Sequence, residues 1–443
     1  MNTTFIDKLH ERKTTFPAPE EAIDKANACN LLSRDIYTDS TRFIYELLQN
    51  ADDASCKQGS LTFQIDFAND YLIVSHNGKP FDEDDVESIC SLGNGNKTTD
   101  SEQTGFKGIG FKSVFAYSDM VIIKSGNFCF KFDKEESNNI WYDNWGNKSQ
   151  WQKVRTLKNK SSKVSMPWQI IPINTVVPNE VSSDILNSYT VCTIIRSKKL
   201  SELRESIDSL FKSAHLILFL RSKHVKVVIN GQTLLCIEKN TDNDITTISR
   251  NGEVISQWLT HTTSPFDVPS SIHEQMEEDK DHYPEKLREA TKASISFAIR
   301  IKDGKIVKLD EGANNIYSFL PTTVSLYDFS FIVNSNFITD AGRQNLHQDY
   351  IWNQWLFEEM PKHFLLWMGE LATSNRYGLE YLRMIVKEVS GSDGLSDAYN
   401  KGMITSLDST PFIQVPNSGL KLTKDVIWDS TNISSCVSKK TIH

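Results

Sequence analysis

The stretch Ser40 to Ser55 reads as a helix with two different faces. Phe43, Ile44, Leu47, Leu48 and Ala51 recur at helical spacing and form an apolar stripe. Glu46, Asn50 and Asp53 stand at i, i+4 and i+7, so they share another face as a row of carboxylate, amide and carboxylate. Such a helix has to lay its stripe on a flat partner, and the next residues supply one. LTFQIDF (61–67), a polar turn at Ala68-Asn69-Asp70 and YLIVSH (71–76) read as a β-hairpin. Helix and hairpin together place the first half in the α/β class.

The alternation continues downstream. Asp82 is positioned to cap a short helix, DEDDVESICSL, and a loop rich in Gly, Asn and Thr follows at 93–105. GIGFKSVF starts another helix, and MVIIKS and NFCFKF read as strands. The interval 134–190 reads as strands and loops around a Lys-rich middle. VCTIIRS (191–197) reads as a strand and 200–220 as a helix; VKVVING and QTLLCIE (225–238) form a hairpin turning at Asn230-Gly231. Residues 239–291 are polar and charged, the pattern of a linker or an exposed helix. From Ala293, SISFAIRI, KIVKL, IYSFLP and FSFIVNSNF resume strand patterns, and a helical stretch begins near Asp349. The last thirty residues lack periodicity, and their ending reads as that of a fragment of a longer protein. The expected division is 1–238, 239–291, 292–375 and 376–443.

Composition narrows the function classes. The 443 residues carry a formal net charge of −9, unlike a strongly basic nucleic-acid binder, although a local basic patch stays open. No apolar run is long enough to cross a bilayer, and the N-terminus lacks a signal-peptide core. Seven cysteines without a CxxC pair fit reduced thiols in a cytoplasmic protein better than a disulfide framework or a zinc site.

Three features in order carry chemistry. In the helical row, a carboxylate can orient and deprotonate a water, and an amide oxygen can ligate Mg²⁺; the bland reading is a solvated polar face. The second feature, His76-Asn77-Gly78-Lys79-Pro80-Phe81, follows a strand directly, and Gly78 and Pro80 mark a sharp turn where backbone can approach a flat ligand. The third, Gly105-Phe106-Lys107-Gly108-Ile109-Gly110-Phe111-Lys112-Ser113, has glycines that let backbone N–H groups close on phosphate oxygens at a helix start. It is neither a Walker A loop nor a Rossmann fingerprint. The Asn-, Thr- and Gly-rich sequence before it suits a lid over a bound nucleotide.

ELLQNADDA, HNGKPF and TGFKGIGFKS resemble, in order and spacing, the N, G1 and G2 boxes of the GHKL (Bergerat-fold) ATPases. Within that superfamily they resemble the ninety-kilodalton heat-shock chaperones and, more closely, the sacsin-type N-terminal ATPase domains. The resemblance implies a Bergerat-type α/β sandwich, then an α/β middle domain and a helical C-terminal segment. It implies ATP and Mg as ligands, with Glu46 activating the attacking water, Asn50 holding Mg²⁺ and Asp53 in the pocket. Gly105, Gly108 and Gly110, with Lys107, Ile109 and Phe111 of the same box, would wrap the phosphates, and Lys97 resembles a lid lysine. Thr193 resembles the late threonine that closes the adenine pocket, with Cys192 where the family has glycine. The family's G1 box has Asp where this chain has His76, so a neutral His76 or the Asn77 oxygen is left to accept the adenine amino group's hydrogen bond beside Gly78, with Asp53 or a water assisting. IYSFLPTTV and FSFIVNSNFITDAGRQNLHQD resemble the middle segment of the same proteins. There Arg343 matches an arginine that reaches the terminal phosphate, and His347 stands where the family has glutamine.

The expected function is Mg-dependent ATP binding and slow hydrolysis driving a clamp or chaperone-like cycle, with a homodimer and a protein client or effector as partner classes. The alternative is an ATP-gated regulatory module of a larger machine, such as a defence or nucleic-acid-processing effector. A histidine kinase fits less well, because no upstream dimerisation helix with a phospho-accepting His is visible. A degenerate, purely structural domain is opposed by the intact Glu46 and Asn50.

Overall fold

A computed structural model describes residues 3–34, 42–92, 110–231, 233–280, 282–310, 312–313, 315–324, 327–340, 345–415 and 418–427. The chain opens with three helices, α1 (Thr3–Thr14), α2 (Pro19–Arg34) and α3 (Arg42–Ser55). The expected hairpin follows as β1 (Ser60–Ala68) and β2 (Tyr71–His76), turning through Asn69 at φ 50°. Asp82 caps α4 (Glu83–Ile89) in a reciprocal capping box with Asp85. The helix expected at GIGFKSVF is a 3₁₀ turn, Gly110–Ala116, and β3 (Met120–Ser125) and β4 (Phe128–Asp133) come next.

The interval 134–190 departs from its expectation of strands and loops. It holds α5 (Lys134–Trp145), α6 (Lys148–Leu157), the two-residue strand β5 (Ile173–Asn174) and α7 (Ser183–Ser188). The helices start at polar caps: the Asp133 carboxylate accepts from Glu135 N and Glu136 N, and the Asn147 amide oxygen accepts from Ser149 N. Their apolar pattern is thin because α5 buries only Ser137 and Trp141. Then come β6 (Val191–Arg196), α8 (Leu200–Leu210), β7 (His224–Asn230) and β8 (Leu234–Asp242).

The polar residues 239–262, expected as linker or exposed helix, lie largely in strands: the end of β8, then β9 (Ile245–Arg250) and β10 (Glu253–Thr262). Their buried apolar residues are sparse, and a ladder of hydroxyls helps to bind them: Thr241 to Thr246 at 3.0 Å and Thr246 to Thr260 at 3.2 Å. Beyond them are β11 (Phe266–Asp267), α9 (Ser270–Glu278), α10 (Glu285–Arg288), β12 (Lys292–Ala293), β13 (Ser296–Lys302) and β14 (Lys305–Val307). The chain continues through β15 (Ile316–Ser318), β16 (Leu320–Pro321), β17 (Ile332–Asn334), α11 (Ile351–Ser374), α12 (Gly394–Ser409), β18 (Ile413–Val415) and β19 (Gly419–Lys421).

One mixed sheet of fifteen strands ties both halves together, in the order β16-β15-β17-β13-β10-β9-β8-β7-β1-β2-β6-β3-β4-β5, with β14 alongside β13. β1 and β7 pair in parallel, so the hairpin of β7 and β8 joins the first hairpin edge to edge. Leu72 and Val74 of β2 and Ile195 of β6 face the core that α3 covers, whereas Ile73 and Ile194 face the opposite side with Val181. Farther along the sheet both faces are buried. Trp258 and Ala298 extend the first core, while Leu259, Phe297 and Ile299 on the alternate face meet α11 and α12. The fold is thus mixed α/β, with helices on both faces of one large sheet.

Candidate functional site

The row on α3 is not a solvated face. Glu46 is 4% exposed, whereas Asn50 and Asp53 are half-buried. Asp53 turns toward Arg221, whose Nη1 donates to its carboxylate at 3.2 Å. The adjacent Asp52, 3% exposed, accepts from Arg221 N at 2.6 Å and Ser222 N at 3.0 Å. These bonds anchor the C-terminal part of α3 to the segment entering β7, which fixes the row relative to the sheet.

The turn after β2 is clamped from several sides. Asn77 N donates to Thr62 O at 3.2 Å, and Thr62 N returns a bond to Asn77 Oδ1 at 2.6 Å. Lys79 N donates to Ala54 O at 3.0 Å, and Phe81 N to Ser125 Oγ at 2.8 Å. The Thr190 hydroxyl lies within hydrogen-bond distance of both His76 O and Gly78 O. Glycine is required at 78 because a Cβ there would lie 2.8 Å from both Ala54 Cβ and Ser55 Oγ. The close approach suspected from sequence is therefore one between this turn and α3.

His76 is 8% exposed, and burial pushes its imidazole down to about 4. Its Nδ1 accepts from Gly78 N at 3.1 Å. A neutral ring that accepts at Nδ1 carries its proton on Nε2, so this side chain presents a donor beyond the turn. The two acceptors left open by the sequence are both engaged: His76 Nδ1 by Gly78 N, and Asn77 Oδ1 by Thr62 N. An adenine amino group finds no vacant nitrogen acceptor on His76.

Register places Thr193 with His76. Thr193 pairs with Val74 and Val191 pairs with His76, so Thr193 and His76 share the sheet face covered by α3. Thr193 is 6% exposed. Gly110 begins the 3₁₀ turn that packs on α2 and α3. Phe111 is a core residue, with its ring 5.7 Å from Phe115 and 6.3 Å from Phe132. Lys97, Gly105, Lys107, Gly108, Ile109 and Arg343 lie outside the described residues, as does the 93–105 lid. His347 is described and stacks on Tyr350 at 4.3 Å.

Sequence reasoning passed over Asp52, Thr190, Arg221 and Lys112. Lys112 is 2% exposed, donates to Ile89 O and to Gln169 O at 3.0 Å, and is pushed down to about 8 by burial. A lysine inside an apolar GIGF-SVF frame was a visible signal of a buried cation. Asp52 and Arg221 left none, because their partnership spans the whole first half of the chain.

A family model for the Sacsin domain matches residues 29–230. Protein NO VEIN of Arabidopsis thaliana is similar over 349 residues at 25% identity, covering 76% of this chain and 11% of that protein. Sacsin of Homo sapiens is 36% identical over 104 residues, covering 20% of this chain and 2% of sacsin. The chain spans only a small part of the length of these curated relatives.

Proposed function

We propose, on the premise that these similarities link the chain to the sacsin-type family, that its first half is a Mg-dependent ATP site of the GHKL type that hydrolyses ATP slowly. The observation that carries the reading is the burial of Glu46 on α3, one helical turn from the half-buried Asn50, above the sheet face that holds His76 and Thr193. A carboxylate kept at 4% exposure is not solvating a surface, and this burial supports a role in orienting one water. In this role Glu46 takes the proton of the water that attacks the terminal phosphoryl group. The Asn50 amide oxygen is a hard donor suited to Mg²⁺. Asn50 would hold the ion through that oxygen. When bound it neutralises charge on the phosphoryl oxygens. Gly78 and the clamped turn set the floor of the base pocket, and Arg343 is the proposed source of positive charge at the terminal phosphate.

The output of the cycle is conformational, a clamp or chaperone-like closure. The regulatory-module reading is favoured by one fact, that the chain is a small part of its relatives' length. Mg²⁺-dependent phosphate release and nucleotide affinity, measured on the wild type and Glu46→Ala, separate the two. Slow release by the wild type, with retained binding but no release by Glu46→Ala, supports the ATPase. Binding by both with release by neither favours the gated module. If neither binds ATP, the nucleotide reading is wrong.

A further inference from the structure

Apart from the α3 row, α1, α2 and the end of α4 line a half-open cavity of about 190 Å³ whose charged lining is all basic. Arg12 and Lys13 come from the last turn of α1, Lys25 from α2 and Ser91 from the residues after α4, with Phe16 and Ile170 as apolar walls. The cations are poorly compensated. Arg12 takes the one nearby carboxylate, Glu87, at 2.8 Å. Lys13 Nζ donates to Ser91 Oγ at 3.3 Å, and Lys25 Nζ stands 5.1 Å over the Phe16 ring. Among the described residues no carboxylate lies within ion-pair distance of Lys13 or Lys25, although other partners of the same kind pair readily elsewhere on the chain. Behind them is the fully buried ammonium of Lys112, which interacts repulsively with Lys13.

Lys13 is half-buried while Arg12 and Lys25 are exposed, and a cluster of positive charge with few carboxylates beside it attracts an anion that accepts the spare N–H donors. Lys13 feels the strain already: burial is the first cause that lowers its affinity for a proton. The cavity, at about 190 Å³, is large enough to seat a phosphate group. We propose that this cavity is an anion site that binds a phosphate group, with the ammonium groups of Lys13 and Lys25 as its donors. The inference stands on charge and cavity and does not depend on the nucleotide reading. The phosphate can belong to a free anion or to the tail of a nucleotide, and the two sources share this chemistry.

The test is calorimetric titration of the whole chain with pyrophosphate at low ionic strength, repeated with a saturating non-hydrolysable ATP analogue. Saturable binding is expected, weakened about tenfold by Lys13→Gln or Lys25→Gln and unchanged by Lys302→Gln on the far half of the sheet. Lys13→Arg should retain binding, and thermal unfolding of each variant confirms that it is folded. Pyrophosphate binding that persists beside the analogue assigns a free anion. Binding displaced by the analogue, with Lys13→Gln weakening the analogue by the same factor, assigns the nucleotide's own phosphates. Absence of saturable binding, or equal losses in Lys13→Gln and Lys302→Gln, overturns the proposal.

Discussion

The helix layer over β2 and the helix layer over β13 cover the same sheet with opposite chemistry. Under α3 and its neighbours the chain buries ionisable groups: Glu46, Asp52, Asp66, His76, Lys112, Arg155 and Lys239 are all buried. Beyond Lys239, the buried polar side chains among the described residues are serines, threonines and asparagines only. In their place stands an aromatic core. Phe297, Phe331, Phe364 and Trp367 stack or meet edge-on, with Phe331 and Phe364 only 4.0 Å apart. Buried charge costs several kcal/mol unless it is well bonded, while aromatic packing adds stability beyond its area. The difference therefore separates a half that buries ionisable groups at a cost in stability from a half that packs aromatic rings.

The largest effect should come from the second half. Phe364→Ala is expected to cost about 3–5 kcal/mol in chemical denaturation. If the comparison holds, the folded fraction should bind nucleotide with wild-type affinity; a matching loss of affinity would mean that the halves cannot be told apart in this way.

Acid should find the first half next. His76 titrates near 6.5 when unfolded but at about 4 when folded, so the unfolded state binds the extra proton between those values. Stability is complete above about pH 6.5 and falls as pH drops toward 4, by about 3 kcal/mol for this one ring. His363, stacked 4.2 Å from Phe266 and likewise pushed down to about 4 by burial, contributes in the same window from the second half. His76→Asn, which keeps an acceptor for Gly78 N, should remove the His76 share of the acid dependence, while His215, His261 and His363, all pushed down by burial, keep theirs. An unchanged pH profile would show that His76 is not held neutral.

Gly78→Ala comes third. Its new methyl meets Ala54 and Ser55 at 2.8 Å, so a loss of about 1–3 kcal/mol is expected from overpacking. Because the turn is also the proposed pocket floor, nucleotide affinity should drop with it, unlike in Phe364→Ala.

The smallest effect sharpens the site itself. His76→Asp retains an oxygen for Gly78 N and replaces the Nε2–H donor by a second acceptor. Competition binding should move the ratio of ATP to ITP affinity toward ATP by about tenfold. No change in that ratio would mean that residue 76 does not face the base.

Where the chain announced itself in sequence, local chemistry was enough. The apolar stripe of α3, the Asn69 turn and the Asp82 capping box each lie within a few residues of what they determine. The helices of 134–157 were signalled by their caps at Asp133 and Asn147 and hidden by their weak apolar faces. β9 and β10 were hidden for the opposite reason, since threonines and serines do in a ladder what apolar alternation does elsewhere. Within the candidate site, Glu46, Asn50, His76 and Thr193 were offered by motifs, and register and burial bring them to one face of the sheet. The bond of Asp52 to Arg221 could not, because its ends are 169 residues apart and neither end carries a pattern. The tautomer of His76 was equally out of reach, being set by a backbone N–H two residues away in a turn whose geometry had to be seen.

The ladder from β2 through β1, β7, β8, β9 and β10 to β13 has no missing rung. In mechanical terms it is a leaf spring without a pivot. A displacement of the strand that carries His76 reaches the strand that carries Phe297 as a change of twist spread over several strands, not as rotation about a single joint.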